Sequence, residues 1–279
     1  QDLYLQEDED DNFKAPLDPP DLWREHWKSR IKDLIDNYHP QWLYFDASVP
    51  FQGEDNGKSG MEVISHFYND NLTQTNGKSN GFMTIKKIPD HGVNIDKISS
   101  LDYERKFLKK PAPRPWQTDD SVGDWFYDQG DKYKTPQEII SILVQVVSMN
   151  GSLLLNVPLM PDGTMDNKCK SILEDVGQWL RIHGEAIYKT RPWKLAKEKR
   201  YFFTTRGDDL YVLFKKKPLF GHKIKALGKS RLGKKVDSVE TLEEQVSIPF
   251  NQTEKSLKFK VAKNIRDPIF TVFKICLAD

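Results

Sequence analysis

Apolar and polar residues alternate in a regular order along the first half of the chain. Apolar side chains recur at helical spacing over residues 23–38, with Asp21 as the predicted N-cap and Pro40 just beyond the end. The unbroken apolar run Trp42–Phe45 follows and stops at Asp46. A short continuous apolar run bounded by polar residues predicts a strand buried on both faces, as in a parallel sheet.

The same order then repeats. Further helices are predicted at 59–71, 135–149 (capped by Thr135 and Pro136) and 166–187, and further strands at 82–85, 116–118 and 153–155. The stretch 88–115 is rich in proline and is predicted to be irregular. Helices that alternate with short buried strands are typical of α/β proteins, either a βα barrel or an open sheet. Only four such repeats are present, which is half of a closed eight-stranded barrel.

The pattern changes after Trp193. Apolar and polar residues now alternate with period two over five segments, at 201–203, 210–214, 246–250, 257–261 and 269–277. Gly207 and Asp208 predict a hairpin turn between the first two segments. These patterns predict a small antiparallel β-sandwich after the half barrel. We therefore divide the chain into a partial barrel domain, 1–195, and a C-terminal β-sandwich domain, 196–279.

Composition narrows the possible partners and cofactors. Lys and Arg number 42 against 41 Asp and Glu, so the chain has no polycationic field and no nucleic-acid partner is expected. No stretch approaches about 18 consecutive apolar residues, so no membrane span is expected. Cys169, Cys276 and the six histidines have no metal-ligand spacing. We expect no metal site.

Reactive groups of parallel βα folds gather where strands end. Polar residues directly after the predicted strands are Asp46, Lys86, Lys87, residues 117–120 and Asn156. Asp46 is the most prominent, because a carboxylate emerges there directly from a run predicted to be buried. Spacing alone leaves open the alternative that Asp46 caps the following turn.

Acid–base chemistry requires a second carboxylate, and spacing does not choose among the candidates. These are Glu54, Asp55, Asp102, Glu104, Asp119 and Asp120. Aromatic residues lie among them: Trp116, Trp125, Phe126 and Tyr127. Because aromatic faces stack on the apolar face of a sugar ring, carboxylates with aromatics at strand ends suggest a carbohydrate site. For each tryptophan, packing in the core is the alternative to a role in the site. The polar loop around Trp125 argues against core packing for that residue.

Four sequence blocks, in this order, resemble one family. They are residues 33–46 (DLIDNYHPQWLYFD), 115–125 (PWQTDDSVGDW), 150–157 (NGSLLLNV, followed by PDG at 161–163) and 184–193 (GEAIYKTRPW). Together they resemble the retaining α-L-fucosidases of glycoside hydrolase family 29, over about residues 20–193. The resemblance implies an exo-acting glycosidase that removes terminal α-L-fucose from glycans or polysaccharides, so that the barrel domain is catalytic.

The resemblance also implies roles for individual residues. Asp46 takes the place of the nucleophile, and Glu104 that of the general acid/base, with Asp102 as its rival. Lys86, Trp116 and Trp125 take places of substrate-binding residues. The competing hypothesis is a catalytically silent homologue that binds fucosylated glycans, with the sandwich as a carbohydrate-binding module. The presence of both Asp46 and Glu104 favours the enzyme.

The chain departs from the family pattern at its start, so the resemblance implies that its four repeats are the C-terminal half of a (β/α)8-like barrel. Family members begin with a section that holds a Gly-Met-Phe motif and paired histidines, and this section has no counterpart in the 279 residues. A half barrel alone exposes strand edges. We therefore expect an additional N-terminal segment, from the same polypeptide or from a second chain. The substrate class implies a secreted, periplasmic or lysosomal protein.

Overall fold

The computed structural model describes residues 20–46, 49, 55–86, 97–215, 221–261 and 270–278. They belong to two compact units, 1–103 and 104–279, and each unit is described by itself. Two candidate site residues, Glu54 and Lys87, lie outside the described residues. The division at residue 195 stays a prediction.

The first unit contains two helices and three parallel strands. Its elements are α1 Asp21–Tyr38, β1 Trp42–Phe45, α2 Lys58–Gln74, β2 Phe82–Lys86 and β3 Ser100–Asp102. The strands lie in the order β1-β2-β3, with Phe45 opposite Ile85 and Ile85 opposite Leu101. The core is formed by apolar residues of both helices and the sheet, among them Ile35, Val63, Ile64, Phe67, Met83 and Ile85. Parallel pairing brings the carboxyl ends of the three strands to one edge.

Three details of this unit differ from the sequence predictions. Pro20, not Asp21, is the N-cap of α1, and Asp21 lies inside the first turn, where it pairs with Arg24. Strand β1 is not buried on both faces, since Trp42 is 43 % exposed. Strand β3 lies within the stretch predicted to be irregular. The sequence did not indicate it, because three residues are too few to show an apolar period.

The second unit begins with a βαβα segment and continues in antiparallel strands. Its elements are β4 Trp116–Ser121, α3 Pro136–Ser148, β5 Gly151–Asn156, α4 Asn167–His183, β6 Arg191–Glu198, β7 Tyr201–Arg206, β8 Asp209–Phe214, β9 His222–Ile224, α5 Lys229–Leu232, β10 Val236–Thr241, β11 Phe250–Gln252, β12 Leu257–Phe259 and β13 Thr271–Leu277. A single 3-10 turn, Gly184–Ala186, follows α4. The predicted helices and strands up to residue 187 are all present, with β4 three residues longer than expected.

Two antiparallel sheets form the rest of the unit. One has five strands in the order β10-β13-β8-β7-β6, and the other has three in the order β11-β12-β9. Strands β7 and β8 pair up to Arg206 and Asp209, which confirms the predicted hairpin at Gly207 and Asp208. Strands β6, β9 and β10 were not predicted, and β11 begins only at the last residue of the strand predicted at 246–250.

Both faces of the five-stranded sheet are buried. One face packs against the three-stranded sheet, with Phe203 and Phe273 in the core between them. The opposite face packs against α3 and α4 through Tyr211, Trp179 and Phe270. Trp179 Nε1 also donates a hydrogen bond to the backbone oxygen of Phe270 at 3.3 Å. Burial of these large apolar side chains stabilises the layers by about 1.5–3 kcal/mol per side chain.

Helices α3 and α4 of the second unit begin at well-formed caps. Thr135 and Glu138 form a capping box at α3, with Pro136 in the first turn. At α4, the Asp166 carboxylate accepts a hydrogen bond from the backbone N–H of Cys169 at 2.8 Å and another from the Tyr133 hydroxyl. The hydrogen bond from Tyr133, reinforced by that of Cys169, holds the pKa of Asp166 below its ordinary value of 3.8.

Replacement of Asp166 by alanine is expected to lower the free energy of unfolding by about 1–2 kcal/mol, since the cap is lost. Urea denaturation measures this change, and Asp166→Asn, which keeps an acceptor for the Cys169 N–H, is the control that should lose less. Because folding depresses the pKa of Asp166, its ionised form stabilises the fold above pH 3.8. That contribution disappears as the pH falls further. Equal stability of the two variants would contradict the capping role.

None of the helices in the described ranges has both the length and the apolar character needed to cross a membrane.

Candidate active site

Asp46 follows β1 directly and lies beside a lysine from the neighbouring strand. Lys86 Nζ is 2.9 Å from Asp46 Oδ1, and the Tyr44 hydroxyl donates to the same oxygen at 3.2 Å. Parallel pairing of β1 with β2 explains the contact, because Phe45 and Ile85 are opposite one another and the next residues lie side by side. The Asp46 side chain is 71 % exposed. The carboxylate is thus oriented by two groups and remains accessible to a ligand.

Asp102 ends β3 at the same edge of the sheet. It is opposite Lys86 in the register of β2 and β3, and it is fully buried. Asp46, Lys86 and Asp102 therefore stand at the carboxyl ends of three adjacent parallel strands; strand-end reasoning selected Asp46 and Lys86 but not Asp102, because β3 was not predicted.

Asp55 has a different role. Its carboxylate accepts hydrogen bonds from the backbone N–H groups of Gly57 and Ser59 and from the Ser59 hydroxyl, at 3.0, 2.9 and 2.6 Å. Partial burial raises the pKa of Asp55, but the hydrogen bonds from Ser59 and Gly57 outweigh it and lower the pKa below 3.8. Asp55 caps the first turn of α2, and we remove it from the candidate acids.

Glu104 belongs to the second unit, where Arg105 fixes the chain next to it. Arg105 has a left-handed backbone, with φ of 50°, and its N–H donates to the backbone oxygen of Asp119 in β4 at 3.0 Å. Glu104 is half-buried. The peptide that follows Glu104 is therefore tied to β4.

The Arg105 side chain connects this segment to Trp125. Its guanidinium carbon lies 4.4 Å from the centre of the Trp125 ring, a cation–π contact. The same guanidinium is 3.6 Å from carboxylate oxygens of both Asp120 and Asp124. No sequence motif links Arg105 with Trp125, so sequence reasoning missed Arg105. The only sequence signal is its position next to Glu104.

Further hydrogen bonds hold the loop that carries Trp125. Asn156 Nδ2 donates to the backbone oxygen of Trp125 at 3.1 Å and to the Ser121 hydroxyl at 3.0 Å. The Ser121 hydroxyl in turn donates to the backbone oxygen of Asp124 at 2.6 Å. At Gly123 a Cβ atom would lie 1.9 Å from Asp131 Oδ2, so any larger residue would force the loop apart. Trp125 is thus half-buried in a fixed loop at the carboxyl ends of β4 and β5.

Asp120 forms an ion pair with Lys134 near the carboxyl end of β4. It is buried and accepts hydrogen bonds from Lys134 Nζ at 3.1 Å and from the Ser121 N–H at 2.8 Å. Lys134 also donates to the backbone oxygen of Ser121 at 2.7 Å. A buried carboxylate with its own lysine is typical of a structural ion pair.

Trp116 lies at the opposite end of β4 from Asp119 and Asp120. It starts the strand, is 3 % exposed, and its Nε1 donates to the backbone oxygen of Met149 at 2.9 Å. Sites of parallel barrels lie at the carboxyl ends of strands, whereas Trp116 occupies the amino end. This geometry favours a role for Trp116 in core packing. Trp116 is therefore not part of the site proposed below.

The structure therefore brings the predicted residues together in two groups. Asp46 and Lys86 are in contact in the first unit, and Glu104 and Trp125 are joined through Arg105 in the second. The pairing of Asp46 with Glu104 stays a prediction, because the two residues belong to different units.

A family model and curated relatives both relate this chain to the alpha-L-fucosidases. Residues 1–185 match the family model described as Alpha-L-fucosidase. Human tissue alpha-L-fucosidase is 29% identical over 193 residues, which are 66% of this chain and 40% of the relative. This chain thus spans well under half the length of that relative.

Solved structures show the same fold. Alpha-L-fucosidase isoenzyme 1 from Paenibacillus thiaminolyticus has a TM-score of 0.74 at 21% identity, over 94% of this chain and 64% of its own. A GH29 alpha-L-fucosidase from Bacteroides thetaiotaomicron, trapped as a covalent intermediate with 2-fluoro-fucosyl fluoride, has a TM-score of 0.78 at 17% identity, over 95% and 65%. These likenesses confirm the predicted fold, a partial βα barrel followed by an antiparallel sandwich.

Proposed function

The chain belongs to the alpha-L-fucosidase family, and we propose that it acts as a retaining exo-α-L-fucosidase on the ends of glycans or polysaccharides. The observation that carries the proposal is the accessible Asp46 carboxylate at the end of β1, held by Lys86 and Tyr44. The covalent intermediate of the Bacteroides relative supports the retaining mechanism. No cofactor is needed for this chemistry.

In the proposed first step, an Asp46 oxygen attacks the anomeric carbon of fucose. Glu104 donates its proton to the departing oxygen, which leaves with the aglycone. In the second step, Glu104 takes a proton from water, and that water hydrolyses the fucosyl ester on Asp46. A retaining pair of this kind stands roughly 5–5.5 Å apart when substrate is bound.

Lys86, Tyr44 and Trp125 complete the proposed site. The Lys86 ammonium and the Tyr44 hydroxyl aim one carboxylate oxygen of Asp46, so that the other is presented to the substrate. The Trp125 ring offers an apolar face to the sugar and its 6-deoxy methyl group. The substrate class supports a secreted, periplasmic or lysosomal location.

Incubation of the protein with an aryl α-L-fucoside tests the proposal. We expect release of the phenol, with α-L-fucose as the first sugar product in the NMR spectrum, since double displacement retains configuration. β-L-Fucose as the first product would exclude the double displacement. If the protein binds fucosylated glycans but releases no phenol, the hypothesis of a catalytically silent, glycan-binding homologue replaces that of an enzyme.

We expect Arg105 to influence substrate affinity by holding the Trp125 ring in position. Replacement by alanine removes a cation–π contact worth about 1 kcal/mol, so KM for the aryl fucoside should rise about fivefold. Arg105→Lys keeps a cation near the ring and should recover part of the affinity. Lys106→Ala, at an exposed neighbouring position, is the matched control. Unchanged kinetics in Arg105→Ala would contradict the positioning role.

A further inference from the structure

Lysine side chains cover the outer face of the three-stranded sheet. Exposed Lys223 and Lys225 alternate with buried residues along β9 and just beyond it, as do Lys258 and Lys260 along β12. Lys223 is directly opposite Lys258, and Asn251 of β11 is opposite Lys258 on its other side. Since side chains alternate between the two faces of a sheet, these residues point away from the core. We call the four lysines the lysine face.

This arrangement is unfavourable for the fold alone. Like charges directly opposite one another on a sheet destabilise it. Throughout the part of the chain that the structure describes, none of the four lysines takes part in a salt bridge of 4.0 Å or less. The nearby carboxylate of Glu198 binds the backbone N–H groups of Lys225 and Ala226, at 2.8 and 2.7 Å. Glu254, in the turn before β12, is the other acidic residue close in sequence.

The chemistry of the face restricts what it can bind. Among the described residues, the outward positions of β9, β11 and β12 hold no aromatic ring on which a base or a neutral sugar could stack. They hold no apolar side chain that could enter a lipid surface. The remaining class of partner is a polyanion recognised through point charges.

The residue type also distinguishes between anions. Arginine presents a planar fork that matches a carboxylate, whereas lysine presents a compact charge with three freely rotating donors. All four cations here are lysines, which suits the several equivalent oxygens of a sulfate ester. We propose that the lysine face binds a polysaccharide that carries sulfate esters. The inference goes beyond the proposed hydrolysis and describes a separate surface of the protein.

Binding to dextran sulfate, measured by titration at several salt concentrations, tests the proposal. We expect Lys223→Gln/Lys258→Gln to raise Kd about tenfold and to reduce the slope of log K against log salt by about one to two. The matched control is Lys109→Gln/Lys110→Gln, which removes equal charge from exposed positions before β4 and should change Kd less than about twofold. Because the first substitution relieves repulsion, that variant should melt no lower than the original protein.

Several outcomes would overturn the proposal. One is that dextran sulfate binds no more tightly than neutral dextran. Another is that both double variants weaken binding equally. A third is that polygalacturonate, single-stranded RNA or anionic vesicles bind the same lysines more tightly than dextran sulfate. Hydrolysis of the aryl fucoside is measured in parallel, so a failure of the proposed function is recognised separately.

Discussion

Replacement of Asp46 by alanine is expected to lower kcat/KM on an aryl α-L-fucoside by more than about a thousandfold. The variant lacks the oxygen that would form the bond to the anomeric carbon, so no fucosyl ester can accumulate. Lys86 also loses its 2.9 Å contact with Asp46 Oδ1, and water can reach the vacated position because the Asp46 side chain is 71 % exposed. The steady-state rate of phenol release measures the effect.

A matched control separates loss of chemistry from loss of structure. Asp36 is an exposed carboxylate of the same unit that pairs with His66 at 2.6 Å, and Asp36→Ala should leave kcat/KM within about threefold. Azide supplied to Asp46→Ala should restore turnover and yield the inverted fucosyl azide, because it enters from the face that the carboxylate occupied. Full activity in Asp46→Ala would refute its assignment as the nucleophile.

Replacement of Glu104 by alanine is expected to produce a loss that depends on the leaving group. On glycosides of weakly acidic alcohols the loss should be about a hundred- to ten-thousandfold, the usual contribution of a general acid. On aryl fucosides whose phenol leaves without protonation, the first step should be nearly unaffected and the fucosyl ester should accumulate. Pre-steady-state measurement of phenol release would show this as a burst.

The same comparison decides between Glu104 and Asp102. If Glu104 is the acid/base, Asp102→Asn should lower the rate on both kinds of substrate by a similar factor. Azide should then rescue Glu104→Ala with retained configuration, since it attacks the ester on Asp46. Leaving-group dependence in Asp102→Asn instead would transfer the acid/base role to Asp102.

Sequence patterns predicted the helices and the buried strands well, for identifiable reasons. The capping box at Thr135 and the apolar period of α3 are local signals, so that this helix was found within one residue of its ends. The run Trp42–Phe45 was equally clear, although its burial was overestimated. Strand-end reasoning also selected Asp46 and Lys86, which the structure places side by side.

Polar and short strands were harder to predict. Strand β4 continues through Asp119, Asp120 and Ser121, all buried, and Lys134 and the backbone N–H of Ser121 bind the carboxylate of Asp120. A hydropathy pattern carries no record of such partners. In β6, charged residues interrupt the period of two, and in β3 only three residues pair. The cation–π contact between Arg105 and Trp125 joins residues twenty positions apart, which spacing alone does not indicate.

The packing of the five-stranded sheet on α3 and α4 limits how this polypeptide can be shortened or recombined. A truncated chain that ended before β6 would expose Trp179, Ile140 and Val144 to water. At about 1.5–3 kcal/mol for each such side chain, a few exposures consume most of the 5–15 kcal/mol that holds a domain folded. A hybrid that exchanged the C-terminal strands with those of a relative would therefore have to exchange both helices with them.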